Sequence, residues 1–257
     1  SEERAYQLLR RLCLRGIERR YGLKGEGGGR EGGEGEKGKG EGRSCKRVLE
    51  RLDHELAIIR RKGFSSYFLV VHDVVRRFPR TCGRGSSAAS IVSYSLGITH
   101  VDPLRYNLFF ERFLNRGRQD PPDIAVDFPW DEREKALLYV FNTYPGRVGM
   151  VADHVTFGPR SCLREPAKAM GFEEEEIGRL VKLKQLDRCE DIPPFLVQAA
   201  QRLRGMVRHI GTHPGGVVIT PGPITTHTHL QISRMGYPVI AWEKDATEEA
   251  GLVKIDL

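Results

Sequence analysis

Two short segments, DIAVDF at residues 123–128 and GLVKIDL at residues 251–257, constrain the fold more than any other feature of the chain. In each, apolar and polar residues alternate. Side chains two apart share one face of a β-strand, so Ile124, Val126 and Phe128 point one way and Asp123, Ala125 and Asp127 the other. By the same count Val253, Ile255 and Leu257 form an apolar face, with Lys254 and Asp256 opposite. Each strand must bury its apolar face, and two such strands can bring Asp123 and Asp256 over a shared cleft. Closely spaced carboxylates repel one another unless a cation lies between them, so the pattern points to a Mg²⁺ site suited to phosphoryl transfer. A solvated edge strand is the plainer alternative.

The remaining chain divides by periodicity. Residues 1–22 read as a helix, with Ala5, Leu8, Leu9, Leu12 and Ile17 near helical spacing and Gly22 at its end. Residues 24–43 are almost entirely Gly, Glu, Lys and Arg, which predicts a flexible surface insertion. A second helix spans residues 46–61 on the stripe Val48, Leu49, Leu52, Leu56 and Ile59, and Gly63 stops it. The apolar run at residues 67–71 fits either a buried helix or a buried strand. Gly83 and Gly85 form a turn that opens a helix capped by Ser86 or Ser87. Asp102 and Pro103 begin another, with Leu104, Leu108 and Phe109 on its apolar side. Pro121 and Pro122 force extended backbone into residues 123–128. Residues 159–208 carry mostly helical signals, broken at Pro166, Pro193 and Pro194. After Gly211 come the short β-rich runs GGVVIT, YPVIAW and GLVKIDL. This order predicts an α+β fold, a mixed sheet domain with a helical insertion.

Composition narrows the function classes. The 257 residues are 39% hydrophobic and 29% charged, as in an ordinary folded chain. No apolar run has the length of a membrane span and the amino terminus lacks a secretory signal, so no membrane association and a cytoplasmic location are expected. Five scattered cysteines without a CxxC pair suit a reducing compartment. The net charge of +7 and pI near 9.2 favour an anionic partner such as nucleic acid. The THTHL stretch offers His227 and His229 as a metal pair, but no cysteine or carboxylate cluster accompanies them, so a polar surface strand is the better reading. The stretch GRGSSAAS (residues 83–90) could expose backbone N–H groups to a triphosphate, with Arg112, Arg116 and Arg118 downstream to clamp phosphates. A simple Gly-Ser turn is the alternative.

The ordered blocks GFSSYFLVVHDVV, GRGSSAAS, GITHVDPLRYNLFFERFLNR, PPDIAVDF, HVTFGPRSCLREPAKAMG, IGTHPGGVVITPGP and GLVKIDL resemble the polymerase core of the bacterial DNA polymerase III alpha subunit, a C-family DNA polymerase. The resemblance runs from about Arg47 to the last residue. PPDI and FGPRSCLRE lean toward the error-prone branch.

The resemblance implies a nucleotidyltransferase-like palm with an inserted helical thumb. Residues 1–44 would be the first helix and the insertion, 45–154 the first part of the palm, 155–205 the thumb and 206–257 the second part of the palm, truncated. It implies DNA-directed DNA synthesis in replication or translesion repair, with primer-template DNA and deoxynucleoside triphosphates as substrates and two Mg²⁺ ions as cofactors. Asp123 and Asp256 fall on catalytic, metal-holding positions. The third position of that set is 125, where this chain has Ala125. Asp127 matches a further acidic position, not usually counted as a ligand, on the same strand face. Gly85, Ser86, Arg112, Arg118 and Lys254 fall at the nucleotide. Arg160 and Arg164, with Lys168 one turn on, lie on a thumb helix that could follow duplex phosphates. The family's PHP, fingers and sliding-clamp-binding segments have no counterpart here, so the chain reads as a fragment. Ala125 leaves open a second function, a catalytically inactive nucleic-acid-binding remnant.

Overall fold

A computed structural model describes residues 1–22, 38–115, 117, 122–185 and 189–257. The predicted insertion therefore lies largely outside the described residues, as do Arg116 and Arg118. The chain forms two compact units, Ser1–Val151 with Pro214–Leu257, and Ala152–His213.

The first unit begins with three helices, α1 (Glu2–Tyr21), α2 (Gly38–Lys62) and α3 (Ser65–Arg77). On α1 the residues Leu9, Cys13 and Ile17 recur at every fourth position and are all buried. The run at residues 67–71 is helical, inside α3, and α2 starts eight residues before the predicted Lys46. After β1 (Cys82–Arg84) comes a 3-10 turn, Gly85–Ala89, and then the short helix α4 (Ile91–Ser95). Its cap is Ser90, whose hydroxyl accepts from the Ser93 N–H at 3.1 Å, and not Ser86 or Ser87. A Cβ added at Gly16 would stand 2.0 Å from the Ser95 carbonyl oxygen, so a bare glycine lets α1 approach α4.

The helix expected after Asp102 does not form. Asp102 does accept from the Leu104 and Arg105 N–H groups, at 2.9 and 3.2 Å. Asn107 then turns left-handed at φ 50°, and Arg51 takes the Leu108 carbonyl at 2.9 Å. The segment continues as turns into a 3-10 helix, Phe110–Arg112. There Phe110 and Phe113 pack edge-on with each other, and Phe113 with Phe68 of α3, all three fully buried.

The sheet is completed by β2 (Ile124–Asp127), β3 (Val148–Thr156), β4 (Val207–Ile219), β5 (Leu230–Ile232), β6 (Pro238–Ile240) and β7 (Lys254–Asp256), with α5 (Trp130–Thr143) between β2 and β3. The strand order is β1-β2-β7-β4-β3-β6-β5. Both parallel and antiparallel pairs occur, so the sheet is mixed and the class is α+β. Val151, Val218, Ile224, Ile240 and Leu252 bury against one another in this unit. β4 begins at Val207, earlier than the predicted change at Gly211.

The second unit holds α6 (Ser161–Ala169), α7 (Glu174–Gln185) and α8 (Pro194–Leu203). Leu163, Ala167, Ile177, Leu180, Ile192 and Leu196 form its core. Pro166 lies inside α6 and is buried, and Pro193 and Pro194 start α8. Among the described residues, no helix is long and apolar enough to cross a membrane.

Candidate active site

The register of three strands builds the site. β2 and β7 run parallel, with Ile124 beside Ile255 and Ala125 beside Asp256. On the far side of β7, antiparallel β4 sets Gly216 beside Asp256 and Val218 beside Lys254. Ile124 and Ile255 are buried, as the alternation of both segments requires, and the opposite face carries Asp123, Ala125, Lys254 and Asp256.

These polar side chains converge. The Lys254 ammonium lies 2.5 Å from Asp256 Oδ2 and 3.5 Å from Asp123 Oδ1. The Lys254 side chain is only 3% exposed, against 20% for Asp256 and 43% for Asp123. Asp123 Oδ1 is itself buried and accepts no hydrogen bond among the described residues. Tyr67 of α3 ties the two strands together at this point: its hydroxyl accepts from the Ile124 N–H at 3.1 Å and donates to the Lys254 carbonyl at 3.0 Å. Burial pushes the Tyr67 phenol well above its usual pKa, so the group stays protonated and can do both.

Asp127 is on the same strand but is held elsewhere. Arg84 of β1 donates from Nε to Asp127 Oδ1 at 2.8 Å, and Arg84 is also the cross-strand neighbour of Ala125. Gly85 follows directly, with φ 69°, a left-handed value that favours glycine, and turns the chain out of the sheet. Gly85 and Ser86 are exposed at that corner. The 3-10 helix carrying the exposed Arg112 packs beside the Gly85–Ala89 turn.

One pair of residues that the sequence reading passed over braces this corner. Glu55 of α2 is fully buried. Its carboxylate accepts from Arg51 Nε at 2.7 Å, the Ser90 hydroxyl at 2.7 Å, and the Ile91 and Val92 N–H groups at 3.0 and 3.2 Å. Arg51 also donates to the carbonyls of Ala89 and Leu108, at 3.0 and 2.9 Å. Burial raises the Glu55 pKa, while the Arg51 and Ile91 hydrogen bonds pull it back. A signal was present: Glu55 interrupts the buried stripe Val48, Leu52, Ile59 at helical spacing, and Arg51 sits one turn before it.

Three basic residues of the second unit pair with carboxylates. Arg164 and Lys168 converge on Glu174, Lys168 at 2.9 Å, and Arg208 pairs with Glu165 at 2.8 Å. Arg160 stands at the amino-terminal cap of α6. His227 caps a 3-10 helix and His229 precedes β5, so THTHL is not a strand. Among the described residues, no group of three or more His, Cys, Asp and Glu side chains could hold a metal ion.

The donor set at the carboxylate pair fits one hard cation. Two carboxylates share a face, and Asp123 brings a buried oxygen without a hydrogen bond. The position in register with Asp256 is the methyl of Ala125, which offers no ligand to a metal ion.

A mixed seven-stranded sheet flanked by helices is consistent with a nucleotidyltransferase-like palm. The bacterial DNA polymerase III alpha NTPase domain model matches residues 7–257, and the chain belongs to that family. It is 39% identical over 233 residues to the error-prone DNA polymerase of Alkalilimnicola ehrlichii, covering 82% of this chain and 23% of the relative. The error-prone DNA polymerase of Mycobacterium tuberculosis strain H37Rv is 40% identical over 228 residues, covering 84% and 21%. That of Nocardia farcinica is 38% identical over 264 residues, covering 97% and 21%. The chain thus spans about a fifth of the length of these relatives.

Proposed function

We propose that this chain is the palm-and-thumb segment of a DNA-directed DNA polymerase of the error-prone branch, acting in template-directed synthesis during replication or translesion repair. The observation that carries the proposal is the Asp123 and Asp256 pair, set on one face of adjacent parallel strands and next to an exposed glycine turn. In the reaction a primer 3′-hydroxyl attacks the α-phosphorus of a deoxynucleoside triphosphate and pyrophosphate leaves. Mg²⁺, when bound, would neutralise charge on the reacting phosphate, and Asp123 and Asp256 would hold it. Asp127 is a weaker candidate, being tied to Arg84.

The chain's own groups supply the positioning. Gly85 and Ser86 offer the corner for the triphosphate, Arg112 and Arg118 its counter-charge, and Lys254 a cation beside the reacting centre. The Arg51–Glu55 pair keeps the corner and the Arg112 turn in place through the carbonyls and N–H groups it holds. The helices of Ala152–His213 serve as the thumb, where Arg160 and Arg164 face the DNA backbone. Glu174 competes with phosphate for Arg164.

Ala125 favours a second reading for the chain by itself, that it binds DNA without extending a primer. Primer extension with Mg²⁺ or Mn²⁺ and DNA binding at low and high salt separate the cases. The palm-and-thumb proposal expects sequence-independent binding that weakens steeply with salt. Affinity that stays flat across salt removes it, and extension by the unmodified chain removes the second reading.

A further inference from the structure

The buried end of Lys254 lies where a cation shared by Asp123 and Asp256 would have to sit. Its ammonium reaches both carboxylates, at 3.5 and 2.5 Å, and its side chain is almost wholly shielded from solvent. The backbone is pinned on both sides, by the Tyr67 hydroxyl on the Lys254 carbonyl and by the pairing with Val218. The strand therefore cannot slide to move the ammonium away. Only rotation of the four-carbon side chain can do so.

We infer that Lys254 is the resident counter-cation of this carboxylate pair: it holds the pair together without metal, and a divalent ion enters only by displacing it. The inference rests on the proposed metal role of Asp123 and Asp256 and gives Lys254 a task apart from the nucleotide. Two carboxylates and one ammonium leave a single net negative charge, a poor attractor for a divalent ion. A third carboxylate at position 125 would offset the ammonium, but Ala125 supplies none. A unit charge about 4 Å from a divalent ion weakens its binding by roughly thirtyfold even with the shielding of water. If Lys254 instead helped to orient the carboxylates for metal, its removal would weaken binding. The two roles predict opposite signs.

The test is Mn²⁺ binding by the 257-residue chain, read as loss of the free-ion electron paramagnetic resonance signal, for the unmodified protein, Lys254→Met and Lys254→Gln. Circular dichroism confirms that each is folded. Both variants should bind Mn²⁺ about ten- to thirtyfold more tightly, and Asp123→Asn added to Lys254→Met should abolish the gain. Unchanged or weaker binding by the folded variants overturns the role of Lys254 while leaving the metal site standing. If none of the proteins binds Mn²⁺, the metal reading falls as well. Lys254→Gln keeps a donor for Asp256 should the methionine variant not fold. The unmodified protein gives an independent readout: with ¹³C-labelled lysine, the Lys254 ε-methylene resonance should shift as Mg²⁺ is added. A resonance indifferent to saturating Mg²⁺ overturns the inference.

Discussion

Restoring a carboxylate at position 125 perturbs the site most directly. Ala125 is the cross-strand neighbour of Asp256, and its Cβ points to the face that carries Asp123 and the Lys254 ammonium. Neighbouring strands are about 4.8 Å apart, so an aspartate there would place its carboxylate within about 4–5 Å of an ion held by the pair. One unit charge and one divalent charge about 4 Å apart attract by about 2 kcal/mol in water and by more where solvent is excluded, so Ala125→Asp should tighten Mn²⁺ binding by about thirtyfold. Without metal the new carboxylate repels two others, only partly offset by Lys254, and should cost about 1–2 kcal/mol of folding stability. For a chain of this size that lowers the melting temperature by roughly 2–8 °C. Asp127 is poorly placed to supply that carboxylate: it is two residues on, about 6.6 Å along the strand, and already bound by Arg84 at 2.8 Å. Calorimetric titration gives the affinity, and melting curves in chelator and in Mn²⁺ give the stability change, which should reverse between the two. Equal Mn²⁺ affinity in both proteins would refute the reasoning.

Three further outcomes follow from other contacts. Glu55→Ala removes the carboxylate from half-buried Arg51 and leaves the Ser90 hydroxyl and the Ile91 and Val92 N–H groups without that acceptor, and should cost about 3–5 kcal/mol, read by urea unfolding; a loss below about 1 kcal/mol would mean the brace is dispensable. Tyr67→Phe leaves the Ile124 N–H and the Lys254 carbonyl without their shared partner, for about 1–3 kcal/mol, and should also loosen metal binding by moving β7 against β2; unaltered metal affinity would confine Tyr67 to stability. The hydrogen bond from Lys168, helped by the charge of Arg164, holds the Glu174 pKa below the usual glutamate value of 4.5. A depressed carboxylate stabilises the fold above the unfolded-state pKa and loses that contribution as pH falls through the folded-state value, so the stability gap between the unmodified chain and Glu174→Gln should be present at neutral pH and narrow as the pH falls below the usual glutamate value of 4.5. A gap of the same size at pH 3 would show that the pair contributes nothing through charge.

Much of the local structure could be read from the residues because its causes are local. Gly22 ends α1 in a left-handed turn, and the alternation in DIAVDF and GLVKIDL buries Ile124 and Ile255 while leaving the acidic face open. Periodicity also identified Val48, Leu52, Leu56 and Ile59 as the buried stripe of α2, although Leu49, expected with them, is exposed and the start of α2 lies earlier than expected. The segment after Asp102 misled for a physical reason. Its cap is real, but Asn107 and the distant Arg51 divert the backbone before a helix can continue. The short interval around Ser86 misled in the same way, since the α4 cap is completed by Glu55, a residue on another helix.

Alternation along one strand is enough to put Asp123, Asp256 and Lys254 on polar strand faces, because it is a property of that strand alone. That β2 and β7 are parallel neighbours in the register that sets Ala125 beside Asp256, that the Lys254 ammonium stands between the two carboxylates, and that Glu174 occupies Arg164 follows from packing across the fold. Those contacts join residues up to 131 positions apart, as Lys254 and Asp123 are, and their geometry is set by how the apolar faces of separate elements pack. No period within a single segment encodes it.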